Sequence, residues 1–160
     1  MDVSLLAQIA EDAPFIMAFH DPQQKIVWAN AAYRQATGLD LDQLRGEKCW
    51  AAWGLEQPCR GCPVTTTVET GRGAEAELTP DNQEHWPAAL GSWLARATPI
   101  HDDSGELIGA IEAAFDITER KRSEAALRRF EWLLEKEQQD AEQPAYEAPY
   151  GDITALNTCR

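Results

Sequence analysis

Up to Asp116 the apolar stretches of this chain are short and alternate with Gly- and Pro-marked turns, but from Ile117 to Lys136 there is neither Gly nor Pro. This switch constrains the fold more than any other feature. The first region must be assembled from short strands and helices. The second, dominated by Ala, Leu, Glu, Arg and Lys, reads as one long helix. A chain of 160 residues has room for one globular domain of ordinary size plus appendages. The apolar share of 44% is enough for a packed core.

Leu5, Leu6 and Ile9 fall at helical spacing in Asp2 to Ala10 and predict a short amphipathic helix ahead of the domain. Phe15–Phe19 and Lys25–Ala29, separated by the turn cluster His20-Asp-Pro-Gln-Gln, predict a hairpin. Asn30 is placed to cap a helix over 31–37, and Gly38 to end it in the left-handed region. A helical turn follows over 40–45, and Pro63 with Gly71 brackets a helix over 63–69. Three strands close the domain, over 73–79, 92–100 and 106–115. In the last of these Leu107, Gly109, Ile111, Ala113 and Phe115 share one apolar face. The order is strand–strand, short helices, then three strands. It predicts an α+β fold, a five-stranded antiparallel sheet with helices on one face.

From here the sequence resembles the PAS domains of bacterial signalling proteins. The resemblance rests on Ile-Val-Trp-Ala-Asn-Ala-Ala-Tyr (26–33), Ala-Thr-Pro-Ile-His-Asp-Asp-Ser-Gly-Glu-Leu-Ile-Gly (97–109) and Phe-Asp-Ile-Thr-Glu-Arg-Lys (115–121). It divides the chain into an N-terminal flanking helix (1–12), the PAS domain (13–118), a signalling helix (119–137), and a linker with the start of a following region (138–160). It implies a sensor domain, as in the histidine kinases of two-component systems. Such a domain perceives a small ligand or redox signal and relays it through its C-terminal helix to an effector domain. Asp116, Ile117, Thr118 and Arg120 stand where that relay would run. Short polar side chains at Asp116 and Thr118 can also simply cap the helix. Leu127, Phe130 and Leu134 form a short apolar seam, which the resemblance reads as the contact of a parallel homodimer. A dimerisation module without a ligand is the alternative.

The aromatic residues Trp28, Tyr33, Trp50, Trp53 and Trp93 are candidates to line a ligand pocket, with Asn30 beside them as either a contact or a helix cap. Their other role is core packing. The Cys-x9-Cys-x2-Cys spacing of Cys49, Cys59 and Cys62 is the most unusual feature. Cys62 precedes Pro63 and so falls at a helix N-cap, where a thiolate is stabilised. Three readings compete. The thiols are a redox switch, or small core residues, or ligands of zinc or an iron–sulfur cluster with His85, His101, Cys159 or water as the fourth. A single Cys-x2-Cys weakens the metal case.

Other function classes are reduced by composition. A net charge of −13 argues against nucleic acid as a partner. No phosphate loop, catalytic triad or paired metal carboxylates occur, so no enzyme is expected in this segment. The Cys49 surroundings do not match the flavin-binding stretch of light-sensing PAS domains. The 63–71 segment holds no His for haem. His20, His85 and His101 fall in turns or strand ends, where solvated histidines are expected. The start has no basic run and no apolar stretch approaches about 20 residues, so a cytoplasmic location without membrane insertion is expected.

Overall fold

A computed structural model describes residues 2–142; Cys159 and the stretch from Tyr150 onward lie outside the described residues. The chain divides into two compact units after Arg122. In the first, α1 (Val3–Glu11) precedes the hairpin β1 (Ile16–His20) and β2 (Ile26–Ala29). The short helices α2 (Ala31–Thr37), α3 (Leu41–Leu44), α4 (Cys49–Ala52) and α5 (Pro63–Thr70) follow. Strands β3 (Ala74–Leu78), β4 (Trp93–His101) and β5 (Leu107–Asp116) complete the sheet. The five strands lie in the order β2-β1-β5-β4-β3, and each neighbouring pair is antiparallel. This is the expected α+β architecture.

Local chemistry sets the helix boundaries. Asn30 caps α2, its side-chain oxygen accepting from the Tyr33 amide at 3.0 Å. Asp40 and Gln43 form a reciprocal capping box on α3. Pro63 opens α5 behind an N-cap at Cys62, and Gly71 closes it in the left-handed region with φ of 65°.

The sheet buries the face carrying small residues. Ile16 and Ala18 of β1, Ala95 and Ala97 of β4, and Ala110 and Ala114 of β5 point inward beneath the helices. The apolar face noted on β5 is the opposite one, where Ile111 pairs with Phe19 and Phe115 packs on Phe15 at 4.8 Å. Near β2 an irregularity between Phe19 and His20 inserts an extra residue. It reverses the alternation, so Ala29 faces the core and Trp28 stands beside Phe19 on the outer face.

Helix α6 runs Thr118–Glu142. It therefore extends through residues 138–142, expected as linker; Gln, Asp, Ala and Glu there hold no helix breaker. Its first turn is tied to β3, where Arg120 and Lys121 both pair with Glu77. Within the second unit Leu127, Phe130, Trp132, Leu133 and Leu134 are exposed. Among the described residues no helix is long and apolar enough to cross a membrane.

Candidate functional site

A cavity of about 50 Å³ opens between the inner face of the sheet and the helices. Tyr33 enters it from α2, Trp50 from α4, Trp53 from the residue after α4, and Trp93 from the start of β4. Tyr33 and Trp53 are 5.3 Å apart, and Trp53 and Trp93 are 5.8 Å apart, both tilted. The three rings make one continuous aromatic wall. Four of the six pocket candidates are thus brought together. Trp28 is not, because it lies on the outer face. Asn30 is not either. Its side chain is fully engaged, accepting from the Met17 and Tyr33 amides and donating to the Ala13 and Phe15 carbonyls.

Two further wall residues, Trp86 and Glu112, were not among the sequence candidates. Trp86 belongs to the loop before β4, where no periodicity could place it. Glu112 points inward from β5, opposite Ala18 and Ala97. Its Oε2 lies 3.0 Å from His20 Nε2. His20 is fully buried, which corrects the expectation of a solvated histidine. It is the last residue of β1, and alternation from Ile16 and Ala18 turns it inward. His85 and His101 are exposed as expected.

Buried Nδ1 on the other side of the His20 ring has no hydrogen-bond partner among the described residues. Tyr33 is fully buried as well, and its hydroxyl has no hydrogen-bond partner within distance and angle limits among the described residues. Burial, with the nearby Glu112 charge adding, raises its pKa well above the ordinary phenol value, while the Trp53 indole pulls more weakly the other way. The hydroxyl stays protonated.

All three candidate cysteines reach the cavity wall, and all are free thiols. The Cys49 thiol donates to Cys62. This contact lowers Cys62 to about 6, and the Thr65 amide and hydroxyl add to it against the opposing effect of burial. Cys49 itself is pushed far up, first by that hydrogen bond and then by burial. Burial and the neighbouring Cys62 push Cys59 up to about 12. Among the described residues no three His, Cys, Asp or Glu side chains are arranged to hold a metal ion.

The cavity wall also meets the start of α6. The Trp86 indole donates to the Gly91 carbonyl at 2.8 Å, and the Trp93 indole to the Leu90 carbonyl at 2.5 Å. The next residue, Ser92, is bound twice by the joint. Its amide donates to Thr118 Oγ1 at 2.9 Å, and its carbonyl accepts from the Ile117 amide at 2.8 Å. Asp116 caps the same turn, accepting from the Thr118 amide at 2.8 Å. Packing here is tight: a Cβ on Gly91 would fall 2.3 Å from Thr118 Oγ1. Of the four predicted relay residues, Asp116, Ile117 and Thr118 meet the cavity's own loop, and Arg120 reaches β3 through Glu77.

A family model described as the PAS fold matches residues 10–122. Among solved structures, a PAS domain from Colwellia psychrerythraea is 16% identical, with a TM-score of 0.53 over 73% of this chain and 98% of that one. An RNA-binding light-oxygen-voltage receptor is 17% identical, with a TM-score of 0.59 over 88% of this chain and 39% of that one. The Vibrio cholerae VqmA dimer is 21% identical, with a TM-score of 0.50 over 75% of this chain and 53% of that one. This chain thus spans about two fifths and about half the length of the last two proteins. At such identities the likeness is one of fold. With the family model covering well over half of the chain and the strand order in place, the chain belongs to the PAS-fold family of sensory signal-transduction domains.

Proposed function

We propose that this domain senses a small molecule held in the tryptophan-lined cavity and passes its occupancy to α6 through Ser92 and Thr118. The observation that carries this reading is the unbroken hydrogen-bonded path. Two wall indoles, Trp86 and Trp93, hold the Leu90–Gly91 backbone, and the adjoining Ser92 holds the joint where α6 begins. A ligand that moves either indole must disturb these bonds. An effector attached beyond α6 would receive the change.

The test is to replace Trp86 and Trp93 singly by Phe, which keeps an aromatic ring and deletes the indole donor. Amide exchange at Ser92 and through residues 117–121 is expected to speed up, with the circular dichroism of the fold unchanged. Unaltered exchange at 117–121 in both variants would remove the relay.

The depressed Cys62 thiol favours a second reading, a redox input at the same wall. With a peroxide as oxidant, the Cys62 thiolate attacks the O–O bond and releases hydroxide, leaving a sulfenic acid. The Cys49 thiol then displaces that hydroxyl as water and closes a disulfide. Native mass spectrometry with and without reductant separates the two inputs, since a bound molecule adds mass and a disulfide removes two hydrogens. For the assembly, the proposal is a homodimer joined through Leu127, Phe130 and Leu134 of α6. Truncation after Arg122 that leaves the oligomeric state unchanged counts against it.

A further inference from the structure

The tryptophan-lined cavity holds about 50 Å³, whereas pockets for small molecules run to roughly 300–1,000 Å³. Beside it lies a wider hollow of about 910 Å³, whose rim residues Glu56, Gln57, Arg60 and Glu84 are exposed. Leu55, Cys59 and Trp86 line both spaces and so form the partition between them. All three are half-buried, and none belongs to a helix or strand.

Leu55 and Cys59 make the fixed side. The Leu55 amide donates to the Trp50 carbonyl at 2.8 Å, and the Cys59 carbonyl accepts from the Cys62 amide at 3.1 Å. Trp86 makes the other side, on a loop that Asn82 fastens to the end of β3. The Asn82 side chain donates to the Glu77 carbonyl at 2.8 Å and accepts from the Thr79 amide at 2.9 Å. Beyond Asn82 one side chain ties this loop to the fixed side. Gln83 accepts from the Arg60 amide at 2.7 Å and donates to the Arg60 carbonyl at 3.0 Å. Among the described residues no other hydrogen bond joins residues 54–60 to residues 81–87. His85, next to Trp86, is held at a φ of +55°, a conformation uncommon for a residue other than glycine. The closed loop thus stores some strain beside the ring that would move.

Trp86 also grips the output. Its indole donates to the Gly91 carbonyl at 2.8 Å, while the Ser92 amide donates to Thr118 Oγ1 at 2.9 Å. That carbonyl and that amide are the two ends of one planar peptide group. The group cannot turn at one end without turning at the other.

We infer that Trp86 is a gate between the outer hollow and the cavity, latched by Gln83 on the Arg60 backbone, and that opening it to admit a ligand turns the Gly91–Ser92 peptide against Thr118. This rests on the ligand-sensing reading above and gives that site its entrance. A molecule too large for the closed cavity holds Trp86 aside for as long as it stays, and the start of α6 feels it throughout.

The experiment reads the opening through Cys62, which lines the cavity and is only 6% exposed. Iodoacetamide must pass the partition to reach it, so the alkylation rate, followed by peptide mass spectrometry on the full chain, tracks the open population. Gln83→Ala, at a half-buried loop position, deletes both latch bonds. It should speed alkylation of Cys62 by about 5- to 30-fold. Gln57→Ala, at an exposed position on the same hollow, should leave the rate at the native value. In Gln83→Ala, hydrogen exchange of the Ser92 amide should speed up with the alkylation, while the Ala114 amide of β5 keeps its native rate. Alkylation at the native rate in Gln83→Ala overturns the gate, and so does an equal gain in Gln57→Ala. An equal gain at Ala114 also overturns it, since the reagent would then enter by general unfolding. Faster alkylation with unchanged exchange at Ser92 overturns the coupling to α6 and removes the relay of the ligand-sensing reading with it. Unchanged alkylation removes the gate alone.

Discussion

Replacing Thr118 by Val tests whether the joint at the start of α6 depends on one hydroxyl. Valine preserves the branched shape and removes Oγ1, the acceptor 2.9 Å from the Ser92 amide. Ser92 is only 6% exposed, so water does not readily replace the lost acceptor. A buried donor left unpaired costs about 1–3 kcal/mol. For a domain of this size that lowers the melting temperature by roughly 4–12 °C. If the opening is local, the same energy speeds exchange of the Ser92 amide by about 5- to 150-fold. The neighbouring Ile117 amide, bonded to the Ser92 carbonyl at 2.8 Å, should follow it. Thr118→Ser keeps the oxygen, loses one half-buried methyl group, and should stay within about 1 kcal/mol of the native chain. Native-state hydrogen exchange read by NMR gives both amides directly. The reasoning is refuted if Ser92 exchanges at the native rate in Thr118→Val, or if Thr118→Ser loses as much protection as Thr118→Val.

Cys49→Ala removes the largest influence holding Cys62 down, so the Cys62 transition should rise from about 6 toward the ordinary thiol value of about 8.5. At pH 7 the thiolate fraction then falls by about 30-fold, and alkylation of Cys62 by iodoacetamide, followed by peptide mass spectrometry against pH, should slow in proportion; an unshifted midpoint rejects the assignment. Because Cys62 titrates lower folded than unfolded, its contribution to stability is complete above about 8.5 and fades as the pH falls through about 6, a trend that urea melts of Cys62→Ala beside the native chain should lack. Gly109→Ala places a Cβ 2.0 Å from the His20 carbonyl oxygen and 2.8 Å from the Phe19 ring, at a φ of +154°. It should cost at least about 2 kcal/mol in a urea melt, and a loss below about 0.5 kcal/mol would show that β1 and β5 can separate there freely.

What could be read from the sequence was what short-range chemistry dictates. Asn30 and Gly38 bound α2, Pro63 and Gly71 bound α5, and Cys62 occupies its N-cap, because caps and turns depend on residues within four positions of one another. The Asp116–Thr118 joint was visible for the same reason. What escaped depends on pairing across the sheet. Glu112 shares its face with Ala110 and Ala114, whose weak hydropathy was outweighed by Ile111 and Phe115 on the other side. A single carboxylate among inward-facing alanines was the signal, and it required knowing which face is buried. The extra residue Val27, inserted in β2 opposite the Phe19–His20 step, set Trp28 apart from Trp93, and a bulge leaves no mark in hydropathy. Trp86 reaches the cavity from a loop, where position follows from tertiary packing alone.

The four hydrogen bonds of Asn30 also bear on the order in which the chain folds. They join the Ala13 and Phe15 carbonyls to the Met17 and Tyr33 amides, all within one short stretch of sequence. None is complete until β1, β2 and the first turn of α2 have met, so closure of this stretch is concerted and involves little loop entropy. Asn30→Ala is accordingly expected to slow refolding more than it speeds unfolding in a stopped-flow chevron; the reverse partition would place this closure late. β5 must pair with β1 across 92 residues of chain, as the His20–Glu112 contact requires. In this order of events it docks onto a hairpin whose bulge and register are already set.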